Sequence, residues 1–316
     1  MASSVLGIHH VTAIAGDPQQ NIDFYTQVLG LRLVKVSVDI HDPETYRLFF
    51  GIGLGEPGTL LGFHCWPGAI RGRPGTGQVQ STGLGVPPES LEYWHDRLKS
   101  EKVAVDGLAR RDGIQSLSFR DRDGLLLELV ADDAALTWET PRSWPIPGDR
   151  AIRGLHDVTI SAGSSAEWGR FLTGVLGLDV IAEDAYGRRY AVRGGSLGAQ
   201  VVVREMPRVG RGMTTVGCVH HAAFRVPDGE LDQWRLRVAE YTETLGPADD
   251  HVYYQVLHLD GPEGVRLELA SDGPGVIVDE PPEELGTGLV LPPWLEPRRA
   301  YIEQRLPPLR LPGATG

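Results

Sequence analysis

The chain repeats itself. FYTQVLGL at Phe24–Leu31 returns as FLTGVLGL at Phe171–Leu178, and the same displacement lays Gly7-Ile8-His9-His10-Val11-Thr12 on Gly154-Leu155-His156-Asp157-Val158-Thr159. A second displacement lays DGLLLEL at Asp123–Leu129 on EGVRLEL at Glu263–Leu269, and Val86-Pro87 on Val226-Pro227. A duplication constrains the fold more than any local propensity, because both copies must form the same unit and bury equivalent faces. Each half divides again into two units that open with a strand, continue as a helix and end in further strands, so the expected class is α+β, built from four βαβββ modules in two tandem halves.

Local signals agree with that division. Asp17 is placed to accept from first-turn amides, Pro18 suits the first helical position, and Gly30 can take the left-handed conformation that ends the run 19–29. Ser165 and Gly177 bracket the matching helix around Trp168 and Phe171. Apolar residues at helical spacing, Leu91, Trp94, Leu98 and Leu231, Trp234, Val238, predict helices over 88–100 and 228–241. Short β-rich runs predict strands at 8–14, 46–51, 115–119, 125–130, 190–192, 199–204, 219–226 and 265–270. The expected organisation is an N-terminal domain over 1–136, a linker over 137–152 broken by Pro141, Pro145, Pro147 and Gly148, a C-terminal domain over 153–275, and a Pro-rich tail over 276–316. Leu291, Trp294, Leu295, Tyr301, Ile302 and Leu306 predict that the tail packs on the body, with a short helix at 298–305. Trp138, Trp144 and the tail offer apolar surface for a homo-oligomer contact or for covering the chain's own barrel.

Composition excludes whole classes of partner. With 42 acidic against 30 basic residues the net charge is -12, which repels a phosphate backbone or an anionic bilayer, so neither nucleic acid nor membrane is expected. No apolar run is long enough to span a bilayer, and 1–8 lacks a signal-peptide pattern, so a cytoplasmic protein is expected. Cys65 and Cys218 read as buried thiols, too few for a disulfide framework. The Gly-rich run Gly68–Gly77, with Arg71 and Arg73, lacks a strand-to-helix phosphate signature and reads as a connector.

The histidines carry the chemistry. His9 and His10 fall at the same place in the first unit as His220 and His221 in the fourth. The first position of the pair runs His9, Gln80, His156, His220 across the units, and the second runs His10, Ser81, Asp157, His221. Because strand side chains alternate faces, only one member of each pair is expected to point into a concave sheet. The second position varies with location, which makes His10 and His221 candidate metal ligands and leaves the first position a structural or orienting role. Glu268, between Leu267 and Leu269 on the last strand, is the third candidate, because an inward carboxylate needs a cation. Gly62 falls at its place in the first unit. Two imidazoles and one carboxylate with open positions form the facial triad of non-haem Fe(II) oxygenases, and zinc with bound water is the alternative. The plainer reading makes the histidine pairs core or rim residues and Glu268 an exposed strand residue. Glu128 takes the Glu268 place in the second unit, but with Ser81 and Asp157 as companions, so one cavity is expected to be active and one degenerate.

Two histidine pairs and a terminal-strand glutamate in four βαβββ units resemble the vicinal oxygen chelate superfamily (glyoxalase, bleomycin resistance and extradiol dioxygenase proteins), whose modules form cup-shaped mixed β-barrels. The resemblance extends over most of the chain. The ending LPPWLEPRR at 291–299 with LPPL at 306–309 is similar to that of its hydroquinone-type ring-cleaving dioxygenases. That resemblance implies Fe(II), with Mn(II) as the alternative, held by His10, His221 and Glu268, O2 as co-substrate and a small hydroxylated aromatic substrate. His9, His220, His251, Tyr253 and His258 are the candidate proton-transfer residues. The subgroup has arginine where this chain has His251 and tyrosine where it has His258, implying a substrate without the usual second hydroxyl or with a different acidic substituent. A glyoxalase-type metal-dependent isomerase, lyase or hydrolase is the second reading, and a metal-free binding or resistance protein the third.

Overall fold

The computed structural model describes residues 4–111, 113–138, 145–185, 187–195, 198–242 and 246–312. Pro141 and Trp144 of the expected linker lie outside the described residues. The first unit comprises β1 (Gly7–Ala15), α1 (Pro18–Asp23), β2 (Arg32–Val38), β3 (Tyr46–Gly51) and β4 (Leu60–Cys65). The second comprises β5 (Gln78–Val86), α2 (Leu91–Ser100), β6 (Val105–Arg111), β7 (Ile114–Arg120) and β8 (Leu126–Ala131). The third comprises β9 (Gly154–Ala162), α3 (Ser165–Gly174), β10 (Asp179–Asp184), β11 (Gly187–Ala191) and β12 (Gln200–Glu205). The fourth comprises β13 (Val219–Arg225), α4 (Leu231–Val238), β14 (Asp249–Asp250), β15 (Tyr254–Asp260) and β16 (Arg266–Pro274). All four read βαβββ, as the repeat requires. Among the described residues no helix is long and apolar enough to cross a membrane.

Capping chemistry sets the helix ends. Asp17 accepts from the Gln20 amide at 2.8 Å, α1 continues as a π-helical stretch over Phe24–Val28, and Gly30 and Gly177 take positive φ of 71° and 74° in the turns beyond Val28 and beyond α3. Each helix drives one large aromatic into the outer face of a sheet, namely Tyr25 just after α1, then Trp94, Trp168 and Trp234, all essentially inaccessible. Truncating a side chain of this size in a core costs about 3–5 kcal/mol.

The sheets do not follow the halves of the sequence. One eight-stranded sheet runs β14-β15-β16-β13-β1-β4-β3-β2 and joins the fourth unit to the first; the other runs β10-β11-β12-β9-β5-β8-β7-β6 and joins the third to the second. Strand pairing thus runs between the expected domains 1–136 and 153–275, since β1 pairs with β13, and β5 with β9, across the halves. The two crossings between sheets lie side by side. Within the Gly-rich connector, Arg73 N donates to Met213 O at 3.0 Å and Met213 N returns a bond to Arg73 O at 2.9 Å. Glycine is needed here, because a Cβ at Gly75 would lie 2.3 Å from Gly212 N.

The tail wraps the first unit. Val290 N donates to Val36 O at 2.9 Å, Tyr46 Oη donates to Pro307 O at 2.9 Å, and Leu291, Leu295, Ile302 and Leu306 are buried. A short helix, α5 (Arg299–Glu303), lies inside the expected range. Trp138 covers the chain's own body, since a Cβ at Gly154 would lie 3.0 Å from its ring.

The second sheet closes its concave face with ion pairs. His156 Nδ1 lies 2.5 Å from Asp157 Oδ2 and its Nε2 lies 2.9 Å from Asp132 Oδ2, while Ser81 Oγ donates to Glu128 at 2.8 Å. The cavity beside Glu128 and Asp157 holds only about 50 Å³. Burial opposes protonation of His156, but the two carboxylates outweigh it and raise its pKa to about 9 from 6.5. A group whose pKa rises on folding stabilises fully below its unfolded value and ceases to do so as pH passes the folded one. Stability to urea will therefore decline between about pH 6.5 and 9 in the parent, and His156→Gln will lack that component of the decline. Parallel pH profiles for the two proteins would exclude this role for His156.

Candidate metal centre

Strand register builds the centre. On the sheet joining the first and fourth units, His10 faces Ala223, Ala223 faces Glu268 and Glu268 faces His258, so these four residues form one row across β1, β13, β16 and β15. Thr12 faces His221 two rows along. Gly62 pairs with Thr12 as Glu268 pairs with Ala223, and a Cβ there would lie 2.8 Å from Thr12 Oγ1. Ala223, the small residue in the row, leaves room between His10 and Glu268.

Both strands bulge at the histidines. Between Ile8 and His10 the register admits one extra residue on β1, which is His9, and between Thr12 and Ala13 one extra residue on β13, which is His220. The second sheet repeats the device at Gln80 and His156. A bulge re-aims a side chain that simple alternation would send to the other face, so the expectation that each pair splits across the sheet is overturned. His9 Nδ1 lies 2.9 Å from His10 Nδ1, and His220 Nδ1 lies 2.9 Å from His221 Nδ1. When His10 and His221 donate through Nδ1, each presents a bare Nε2 lone pair on its other side.

Those lone pairs converge with the carboxylate. His10 Nε2 and His221 Nε2 are 3.1 Å apart, Glu268 Oε2 lies 3.5 Å from His10 Nε2, and Glu268 Oε1 lies 3.4 Å from His221 Nε2. All three side chains are buried, and Glu268 Oε2 has no hydrogen-bond partner. Burial works to raise the Glu268 pKa, but the surrounding imidazoles of His221, His10 and His258 hold it well below the usual carboxylate range. Burial pushes His221 well below its ordinary value and brings His220 to about 4. A carboxylate held ionised and two imidazole Nε2 atoms aimed at one point suit a divalent cation with N and O ligands.

The remaining candidates divide. His258 Nδ1 lies 3.1 Å from Glu268 Oε1, and this contact raises its pKa. His251 stacks near His258, with ring centroids 5.5 Å apart, and burial lowers its pKa to about 3. Tyr253 is turned away: its hydroxyl bonds Asp279 and its ring sits under Lys35 at 5.0 Å. The neighbouring Tyr254 faces the centre instead, its ring 4.9 Å from His9 and 5.0 Å from His10. Sequence reasoning passed over His64, whose Nδ1 lies 2.7 Å from Asp39 Oδ2, and Arg47, which lies opposite His64 in the β3–β4 ladder. The centre opens on a cavity of about 710 Å³ whose walls include Arg47, His64, Trp66, His220, His251 and His258. That volume is in the range of pockets for small organic molecules.

Residues 7–129 match the glyoxalase/bleomycin resistance protein/dioxygenase superfamily. A Bacillus subtilis (strain 168) protein, MhqA, whose name assigns it provisionally to the ring-cleaving dioxygenases, is 37% identical over 97% of this chain and 99% of its own length. The chain belongs to the glyoxalase/bleomycin resistance protein/dioxygenase superfamily. The chlorohydroquinone/hydroquinone 1,2-dioxygenase of Sphingobium indicum is 31% identical over 92% of this chain and 93% of that protein. A Bacillus subtilis crystal structure, described provisionally as a dioxygenase, superposes with a TM-score of 0.93 at 36% identity, covering 98% of this chain and 99% of the other. Glyoxalase I of Zea mays, at 16% identity over 84% of this chain and 92% of its own, has a TM-score of 0.61 and shares the superfamily fold. Full-length similarity to ring-cleaving dioxygenases places the chain on the dioxygenase side of the superfamily.

Proposed function

We propose that this protein is a ring-cleaving dioxygenase that uses Fe(II), with Mn(II) as the alternative, and O2 to open a small hydroxylated, hydroquinone-like aromatic ring. The observation that carries the reading is the meeting of three buried donor groups, His10, His221 and Glu268, with separations of 3.1–3.5 Å at the edge of a large cavity. Bound there, a redox-active divalent cation supplies charge stabilisation for a phenolate and a common template for ring and oxygen. In the overall reaction the bond between a hydroxylated carbon and its neighbour breaks and both oxygen atoms enter the ring-opened acid. No external reductant is required, because the ring supplies the electrons.

The chain's own groups orient the ligands, bind the ring and move protons. His9 and His220 fix the ligand rings through their Nδ1 contacts at 2.9 Å. His258 holds Glu268 through Nδ1, and with His251 on the same wall it can exchange a proton with the substrate hydroxyl. Trp66 and Leu259 supply apolar surface for the ring within a wall otherwise rich in histidine and charged side chains. The unpaired thiols Cys65, buried, and Cys218, half-buried, suit the reducing cytoplasm as its place of action.

Oxygen uptake by anaerobically purified, Fe(II)-loaded protein, with metal content determined on the same sample, tests the reading. Uptake with one O2 per ring opened is expected on hydroquinones or their ring-substituted acids. Bound metal with no uptake across hydroquinones, catechols and dihydroxybenzoates would favour the glyoxalase-type reaction instead.

A further inference from the structure

Arg47 on β3 is a buried cation without an anion. It is 8% exposed, it lines the cavity, and its Nε has no hydrogen-bond partner. No carboxylate among the described residues forms an ion pair with it; its near neighbour is the Phe49 ring, 5.0 Å from the guanidinium carbon. Of the carboxylates on the cavity wall, Asp249 faces His258 at 3.4 Å, Asp42 and Asp260 are exposed and form no ion pair with Arg47, and the buried or half-buried ones are engaged elsewhere. Asp39 takes His64 at 2.7 Å and the His41 amide at 2.8 Å, Glu268 takes His258 at 3.1 Å, and Asp279 and Glu280 take Lys35. Arg266, the other permanent cation on the cavity wall, is exposed and turned to His220 Nε2 at 2.9 Å.

A guanidinium cannot shed its proton in a protein, so burying it unpaired is costly unless a ligand completes the pair. Its charge acts across the cavity, opposing protonation of His64 on its own wall and of His251 and His258 on the facing wall. The planar fork of donors matches the two oxygens of a carboxylate better than the single oxygen of a phenol.

We infer that Arg47 is the anion-binding residue of the substrate pocket and that the substrate is a hydroxylated aromatic acid, its ring carboxylate on Arg47 and its hydroxylated edge toward His10, His221 and Glu268. The inference rests on the ring-cleavage reading for the second half of that placement; the carboxylate contact stands on Arg47 alone.

Calorimetric titration of the full, chelator-treated protein separates the two. 2,5-Dihydroxybenzoate is expected to bind the parent about tenfold to a hundredfold more tightly than hydroquinone, the range spanned by hydrogen bonds to a charged group. Arg47→Met should abolish that preference by weakening the acid alone, and Arg47→Lys should restore part of it. Because the substitution removes an unpaired charge, Arg47→Met should melt no lower than the parent, which serves as the folding control. Equal affinity of the parent for acid and hydroquinone, or undiminished acid binding by Arg47→Met, would overturn the assignment. Acid binding that depends on Arg47 in a protein that consumes no oxygen when loaded with Fe(II) would uphold the anion site and sink the dioxygenase reading.

Discussion

Glu268→Gln will strip the centre of its metal and reduce oxygen-dependent ring opening to background, and the chelated variant will unfold below the temperature of the chelated parent. The two halves of this expectation have one cause. Without a cation, Glu268 is a buried carboxylate with an unpartnered Oε2 and with His10 and His221 ring nitrogens at 3.5 and 3.4 Å. The imidazoles that hold its pKa well below the usual range make the ionised form the one that favours the fold, and the same charge is what a cation would take. Glutamine removes the charge, so both the metal and the His258 contact at 3.1 Å lose their anion. Metal at a hundred times its Kd should stabilise the parent by about 2.7 kcal/mol and the variant not at all. Glu128→Gln, at the same register position of the second sheet, is the control and should leave metal content unchanged, because its partners are Ser81 and the β5 backbone rather than imidazoles. An iron-to-chain ratio in Glu268→Gln equal to that of the parent would remove Glu268 from the ligand set.

Why was this centre legible, when Arg47 and Tyr254 were not? The duplication aligned the units, so the histidine pairs, Glu268 and its counterpart Gly62 could be placed by comparison within one chain. Pairing between units is a different kind of information. That β1 lies against β13 rather than β5 follows from the packing of whole units, and no residue in either strand announces it. The bulges at His9 and His220 are register properties of two strands far apart in sequence, which is why alternation misjudged both. Tyr253 and Tyr254 are adjacent and chemically identical, so only the path of the chain into β15 decides which one reaches His10. Arg47 did leave a signal. It stands alone among apolar neighbours in Tyr46-Arg47-Leu48-Phe49-Phe50, and a charge buried in such a run needs a partner in the fold or in a ligand. Lys35, in Leu33-Val34-Lys35-Val36, carries the same mark and finds its partner in the tail.

Lys35→Met will destabilise the chain toward the lower end of the about 3–5 kcal/mol that follows from removing one partner of a buried ion pair. Lys35 is fully buried on β2, with Nζ 2.5 Å from Asp279 Oδ1 and in contact with Glu280 Oε2. Removing it leaves two carboxylates facing each other and the Tyr253 hydroxyl; their partial exposure, 26% for Asp279 and 9% for Glu280, moderates the penalty. The triple variant Lys35→Met, Asp279→Asn, Glu280→Gln should recover most of the loss, since apolar or neutral replacements of a buried ionic cluster are often near neutral. Urea unfolding of the three proteins measures both effects, and a loss below about 0.5 kcal/mol for Lys35→Met, the size of an ordinary surface substitution, would show that the cluster does not hold the tail. The consequence reaches the metal centre. Val276 from the tail packs with Val34, Phe49, Tyr253, Tyr254 and Ala223, and Ala223 is the residue between His10 and Glu268 in their row. Through that shared cluster, Lys35→Met should weaken metal retention in proportion to its loss of stability, with Glu268 and both histidines unaltered.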